Sequence, residues 1–193
     1  MKEELIVSGF GGQGVLLAGK LVTYAAMLDD LYVTYLPSYG AEVRGGTAYC
    51  NVVLSDSEVA SPTIARADTV IAMNLPSVTR FEPAVAKGGT LFVNSSLVRY
   101  DPGRDDIRTV QVPATEIADK LGNIRVANMV MIGAYLKRKA FLPKEKVYEA
   151  LDRLLPAHRR SLHETNCRAI EEGYKLLNNQ TSRNKMQTIT NDQ

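Results

Sequence analysis

The sequence predicts an α/β domain with a mainly parallel sheet flanked by helices and a helical C-terminal region. Three observations carry that expectation. Strand-like apolar runs alternate with helix-length segments from Leu5 to about Lys139. The first run, Leu5 to Val7, meets the first helix through the glycine turn GFGGQG, Gly9 to Gly14. The chain has 193 residues, 45% of them hydrophobic, and no long charge block, which suits one domain with a full core. Strand order does not follow from these signals.

The elements follow in chain order. Leu5 to Val7 is β-rich, and the pattern from Gln13 to Met27 is helical. A strand over Tyr32 to Leu36 leads into the polar, glycine-bearing loop PSYGAEVRGG, Pro37 to Gly46. TAYCNVVLS, Thr47 to Ser55, is long and β-rich, and Ser61 with Pro62 marks a hinge before the strand Thr69 to Met73. A short helix to Ala86 and a turn at Gly88 and Gly89 precede the strand Thr90 to Asn94. The strand Thr109 to Pro113 opens into a helix ending near Gly122. The run from about Arg125 to Lys139 is helical and mostly apolar, so either the sheet or a partner covers it. Behind Pro143, Val147, Leu151 and Leu154 recur at helical spacing, and Ile170, Tyr174 and Leu177 form the stripe of a last helix. One domain therefore spans residues 1–177. NNQTSRNKMQTITNDQ, residues 178–193, reads as a flexible polar tail.

The turn raises the question of a nucleotide. Gly9, Gly11 and Gly14 fit G-x-G-x-x-G between a strand and a helix. An acid at the end of the second strand, which would hold the ribose of NAD, is missing: Asp29 and Asp30 lie before that strand. Gly14 to Leu21 matches phosphate-loop spacing up to Lys20, yet Leu21 stands where a magnesium-binding hydroxyl is needed. Gly9, Gly11, Gly12, Gln13 and Gly14 remain candidates for an anion or for a turn close to coenzyme A, because their bare N–H groups open a helix.

Other chemistry is thin. His158 and His163 are the only histidines; His163 and Cys167 share a helical face, but no third or fourth ligand has matching spacing. The two cysteines, Cys50 and Cys167, suit core or helix-interface positions better than a cluster scaffold or a disulfide framework. No catalytic residue and no metal ligand is assigned. A net charge of +2 from 23 basic and 21 acidic residues excludes a nucleic-acid surface. No signal segment or apolar span of membrane length is read, so the cytoplasm is the expected compartment.

SYGAEVRGG is the most unusual stretch. Ser38, Tyr39, Glu42 and Arg44 stand among Gly40, Gly45 and Gly46 between two hydrophobic segments. Loops at the carboxyl ends of parallel strands share one edge, so this stretch and GFGGQG are expected to be neighbours. Tyr and Arg are strong contact anchors, and the glycines permit close backbone approach, which favours a subunit contact at Ser38, Tyr39, Glu42, Arg44, Gly45 and Gly46. From the residues alone, two rivals stay open: a free-standing nucleotide- or coenzyme A-binding module, and a structural self-associating domain.

The same residues carry a resemblance. GFGGQGVLLAGKLVTYAA at Gly9 to Ala26, YLPSYGAEVRGGTAYCNVVLSDSEVASP at Tyr35 to Pro62, DTVIAMNLPS at Asp68 to Ser77, LFVNSS at Leu91 to Ser96 and VPATEIADKLGNIRVANMVMIGAYL at Val112 to Leu136 resemble the gamma subunit of a 2-oxoacid:ferredoxin oxidoreductase. The 2-oxoglutarate type (2-oxoglutarate synthase) is the most similar; types acting on pyruvate, branched-chain 2-oxoacids and indolepyruvate share the glycine-rich start. The resemblance implies a Rossmann-like domain within an enzyme that converts a 2-oxoacid and coenzyme A to acyl-CoA, CO2 and reduced ferredoxin. It implies alpha and beta partner subunits that carry thiamine diphosphate, Mg2+ and iron-sulfur clusters, and a small ferredoxin-like delta subunit. Ferredoxin is the expected electron acceptor and coenzyme A the co-substrate. The gamma chain alone would carry no cofactor, would be inactive, and would form a homodimer when isolated.

Overall fold

The structure, a computed structural model, describes residues 1–39, 47–154 and 160–190. Its strands are β1 (Lys2–Phe10), β2 (Tyr32–Tyr39), β3 (Thr47–Ser55), β4 (Ala67–Ala72), β5 (Val85–Asn94) and β6 (Arg108–Val112). The helices are α1 (Val15–Met27), α2 (Leu75–Phe81), α3 (Ala114–Lys120), α4 (Ala127–Lys139), α5 (Lys144–Leu154) and α6 (Arg160–Thr190). One six-stranded sheet has the order β2-β3-β1-β4-β5-β6.

The expected α/β class holds, with a mixed, mostly parallel sheet. β1, β4, β5 and β6 are parallel neighbours, while β3 runs antiparallel to both β1 and β2. Residues 40–46 are too few for the crossover that a parallel neighbour requires, so the chain leaving β2 must return as an antiparallel strand. The order changes direction between β1 and β4, the position at which open α/β sheets leave a crevice at the carboxyl edge.

Several element boundaries differ from the sequence reading for physical reasons. α1 begins at Val15, because Gly14 adopts the left-handed conformation, φ 70°, as its N-cap. The strand around Gly88 and Gly89 starts earlier than expected, at Val85: Pro83 confines the preceding turn to a short 3-10 segment, and Gly88 at φ 78° is carried within the strand beside a register shift. α6 continues as helix beyond Leu177, through the stretch where the sequence places a polar tail from residue 178. No glycine or proline interrupts residues 178–190, and propagating a formed helix costs little per residue.

Alternation along the strands makes two cores. Leu5, Val7, Cys50, Val52, Leu54, Ile71 and Phe92 face α1 and α4, while Ile6, Val70, Ala72, Leu91 and Val93 face Val78 and Phe81 of α2. α4 is buried at every residue from Ala127 to Leu136, covered by the chain's own sheet and by α6. The two helices meet at glycines. A Cβ on Gly133 would stand 1.9 Å from the Ile170 carbonyl oxygen, and one on Gly173 would stand 1.9 Å from that of Val130.

Candidate functional site

The glycine turn closes the carboxyl edge of β1. Phe10 N–H donates to Gln13 Oε1 at 2.7 Å and Gln13 N–H donates back to the Phe10 carbonyl at 3.1 Å, a reciprocal pair that fixes the turn. Gly12 takes φ 99°, and a Cβ there would meet nothing within 4 Å, so backbone conformation rather than crowding calls for this glycine. Gly9 is different: a Cβ would fall 2.6 Å from Gln13 Oε1 and 2.9 Å from Met73 Cβ.

Of three buried asparagines that the sequence reading passed over, Asn74 and Asn128 hold this turn and Asn94 ties β5 to the start of α3. Asn74, just past β4, donates to Gln13 Oε1 at 3.0 Å and accepts from Ser77 N–H at 2.9 Å, capping α2. Asn94, the last residue of β5, donates to Thr115 Oγ1 at 2.9 Å and accepts from Thr115 N–H at 3.4 Å. Asn128, in the first turn of α4, donates to the Gly14 carbonyl at 2.9 Å and accepts from Met129 N–H at 2.9 Å. Below them Ser8 Oγ donates to Ser77 Oγ at 2.9 Å. An Asn placed where a strand ends or a helix starts, as in TVIAMN, TLFVN and VAN, was the available signal.

Beside this network lies a cleft of about 270 Å³. Gly12 and Gln13 form one wall, with Met73, Leu97, Ile124 and Arg125 around it. Leu97 is 53% exposed and Ile124 is 59% exposed. Among the described residues, Arg125 makes no ion pair or side-chain hydrogen bond. The cleft can therefore take an apolar group while offering one guanidinium at its rim.

The second predicted motif is partly in view. Ser38 and Tyr39 end β2, and Tyr39 registers with Ala48, which registers with Gly9 on β1. Tyr39 and Thr47, the last residue of β2 and the first of β3, thus sit at the edge that carries the glycine turn, with β2 about two strand spacings, ~10 Å, from β1. Glu42, Arg44, Gly45 and Gly46 themselves lie outside the described residues, as does His158.

The structure gives His163 and Cys167 no catalytic geometry. His163 Nε2 lies 2.9 Å from Asp152 Oδ1, while Cys167 Sγ stands almost equally far from both ring nitrogens, 3.6 Å from Nε2 and 3.8 Å from Nδ1, and so is not aligned on the nitrogen opposite the carboxylate as a nucleophile relay needs. Burial also pushes the Cys167 thiol up to about 11, away from thiolate. Cys50 is deeper: its Sγ lies 3.7 Å from the Val15 carbonyl, and burial pushes its thiol up to about 12. Among the described residues no group of three His, Cys, Asp or Glu side chains could hold a metal ion, and no helix is long and apolar enough to cross a membrane. Lys20 is exposed on α1, as a solvent-facing helix residue rather than a phosphate ligand.

One ionisable cluster lies at the opposite edge of the sheet. Glu3, 3% exposed, accepts from Thr69 Oγ1 at 2.7 Å and pairs with Lys139 Nζ at 3.1 Å. Burial raises the Glu3 pKa above the ordinary glutamate value, against the lowering effect of Thr69 and Lys139.

Comparison with known proteins follows from this arrangement. Residues 4–176 match the sequence model of the family described as Pyruvate ferredoxin/flavodoxin oxidoreductase. The 2-oxoglutarate synthase subunit KorC of Methanothermobacter marburgensis is 35% identical over 184 residues, covering 92% of this chain and 97% of KorC. The ketoisovalerate oxidoreductase subunit VorA of Methanothermobacter thermautotrophicus is also 35% identical, over 86% of this chain, but the match spans only 35% of VorA. Among solved structures, the keto/oxoacid ferredoxin oxidoreductase gamma subunit from Geobacter sulfurreducens is similar with a TM-score of 0.77 and 28% identity, covering 90% of this chain and 96% of that one.

Proposed function

The chain belongs to the pyruvate ferredoxin/flavodoxin oxidoreductase family as a gamma-type subunit, and from that premise we propose that it serves a multisubunit 2-oxoglutarate:ferredoxin oxidoreductase. The assembled enzyme oxidatively decarboxylates 2-oxoglutarate with coenzyme A to succinyl-CoA and CO2, passing two electrons to ferredoxin. Thiamine diphosphate, Mg2+ and the iron-sulfur clusters reside in the alpha and beta partners, with a small delta subunit as a further electron carrier, in the cytoplasm. The observation that supports the substrate assignment is identity joined to co-extension: KorC is 35% identical and matched over 97% of its length, whereas VorA continues for most of its length beyond the match and an IorB matched over 97% of its length is only 26% identical.

This chain's part is placement and enclosure. The turn Gly9 to Gly14, fixed by the reciprocal bonds between Phe10 and Gln13, faces the catalytic subunits near coenzyme A, and Ser38, Tyr39, Glu42, Arg44, Gly45 and Gly46 extend that contact surface. The test is co-purification of the tagged chain with its partners, followed by ferredoxin reduction with 2-oxoglutarate, pyruvate, 2-oxoisovalerate and indolepyruvate in turn. Preference for 2-oxoglutarate is expected; preference for 2-oxoisovalerate would move the assignment to the VorA type. In the same preparation Arg44→Ala is expected to weaken assembly by about 2 to 5 kcal/mol if the guanidinium is desolvated against a partner carboxylate. Equal assembly and turnover would remove Arg44 from the contact.

A further inference from the structure

We propose that Asn128 is a positioning residue for coenzyme A: it clamps together the two walls of the cleft beside the glycine turn, and so sets how tightly the assembled enzyme holds that co-substrate. The inference rests on the gamma-subunit reading, which puts the turn near coenzyme A, and adds the residue that fixes the turn's geometry. The cleft is built from separate parts of the chain. Gly12 and Gln13 of the turn form one wall, and Ile124, Arg125 and Ala127, from the segment entering α4, form another. Asn128 stands where the two meet: it follows Ala127 directly, and its Nδ2 donates at 2.9 Å to the carbonyl of Gly14, the residue after Gln13. Among the described residues no other side-chain hydrogen bond joins these two parts of the chain.

The helix that follows the turn does not need this bond. The Gly14 carbonyl already accepts from Ala18 N–H at 2.9 Å, the first bond of α1. Asn128 is 4% exposed, in a helix buried at every residue from Ala127 to Leu136, where an apolar side chain would carry no polar group out of water. An amide at that position adds direction rather than packing. Its Oδ1 accepts from Met129 N–H at 2.9 Å while its Nδ2 donates to Gly14, so the two ends of the amide are told apart and the side chain has one productive orientation.

The clamp has a rigid base and a matched partner. Gly133 and Gly173 seat α4 against α6, and a Cβ on Gly14 would fall 2.4 Å from Asn128 Nδ2, so only glycine lets the amide come this near. A wall held in place beforehand spares a ligand the cost of ordering it, and a wall set loose charges that cost to binding. Loss of the clamp therefore weakens the hold on coenzyme A without touching the steps carried out in the partner subunits.

The experiment reconstitutes the complex from the alpha and beta subunits with native, Asn128→Leu, Asn128→Ala or Asn128→Asp chain, and reads KM for coenzyme A, KM for 2-oxoglutarate and kcat in ferredoxin reduction. Asn128→Leu keeps the volume and removes the donor. It and Asn128→Ala are expected to raise KM for coenzyme A by about three- to tenfold, the weight of one hydrogen bond, with KM for 2-oxoglutarate, kcat and assembly near native. Asn128→Asp makes the bond conditional, because a carboxylic acid can donate to the Gly14 carbonyl and a carboxylate cannot. Its KM for coenzyme A, relative to the native enzyme, is expected to rise with pH, a profile that a merely structural role does not give. Native KM for coenzyme A in both Asn128→Leu and Asn128→Ala overturns the proposal while leaving the subunit reading intact. Loss of fold or assembly in both, or an equal rise in the two KM values, also overturns it, reducing Asn128 to a structural part. A complex of the unaltered chain that turns over without coenzyme A, or not at all, removes the subunit reading and this inference together.

Discussion

Gly14 shows how much one residue can settle. Its left-handed φ of 70° costs a residue with a Cβ about 1–2 kcal/mol, and the added Cβ would fall 2.4 Å from Asn128 Nδ2. Gly14→Ala is therefore expected to displace the Asn128 amide from the Gly14 carbonyl and to cost about 2–4 kcal/mol in total, read from urea unfolding. Glu3 gives a prediction of opposite flavour. Burial raises its folded pKa, so its favourable contribution is fully present below the unfolded value and is lost as pH rises through the folded one. Glu3→Gln should flatten that part of the stability–pH curve and match or exceed the native chain at neutral pH; a variant clearly weaker there would show that the Lys139 pair outweighs burial. The turn itself was legible in the sequence, because a left-handed residue writes its requirement as glycine. Asn94 and Asn128 were not: each reads locally as a polar residue at an element boundary, and only the folded chain brings Asn128 to Gly14, 114 positions away.

At the scale of elements, the seam between α4 and α6 is the feature whose disruption has the clearest expected size. Gly133 and Gly173 let two backbones cross so closely that any Cβ meets a main-chain carbonyl, which cannot swing aside as a side chain would. Gly173→Ala should cost about 3 kcal/mol or more, measured by thermal unfolding, and combining it with Gly133→Ala should cost less than the sum, since one separation of the helices relieves both. Full additivity would argue against a shared seam. The sequence showed α4 as mostly apolar but not what covers it, since a glycine inside a helical pattern reads only as a weak helix position. Gly88 and Gly89 misled in the other direction: they signal a turn by composition, while the sheet accommodates them within β5. The antiparallel course of β3 was missed because strand direction resides in connection length and pairing, not in the composition of the strand.

Across the whole molecule, the chemistry of the family and the content of this chain stand apart. The isolated chain is expected to reduce no ferredoxin or viologen with 2-oxoglutarate, coenzyme A, thiamine diphosphate and magnesium, because it supplies neither a cluster scaffold nor a carbanion-stabilising cofactor. Calorimetric titration with NAD, FAD, ATP and coenzyme A should find nothing tighter than about 100 μM, equivalent to about −5.5 kcal/mol. Low-micromolar binding of an adenine nucleotide by the lone chain would favour a free-standing binding module instead. The α4–α6 seam also imposes an order in time. α4 is complete at Lys139, but the face that covers it is finished only at Leu177, about 40 residues later. At roughly 5–20 residues per second of synthesis, the apolar helix waits about 2–8 s on the ribosome without its cover. A nascent chain paused in that interval has α4 without α6 over it, and chains truncated between residues 139 and 177 are expected to aggregate more than the full chain on release from the ribosome.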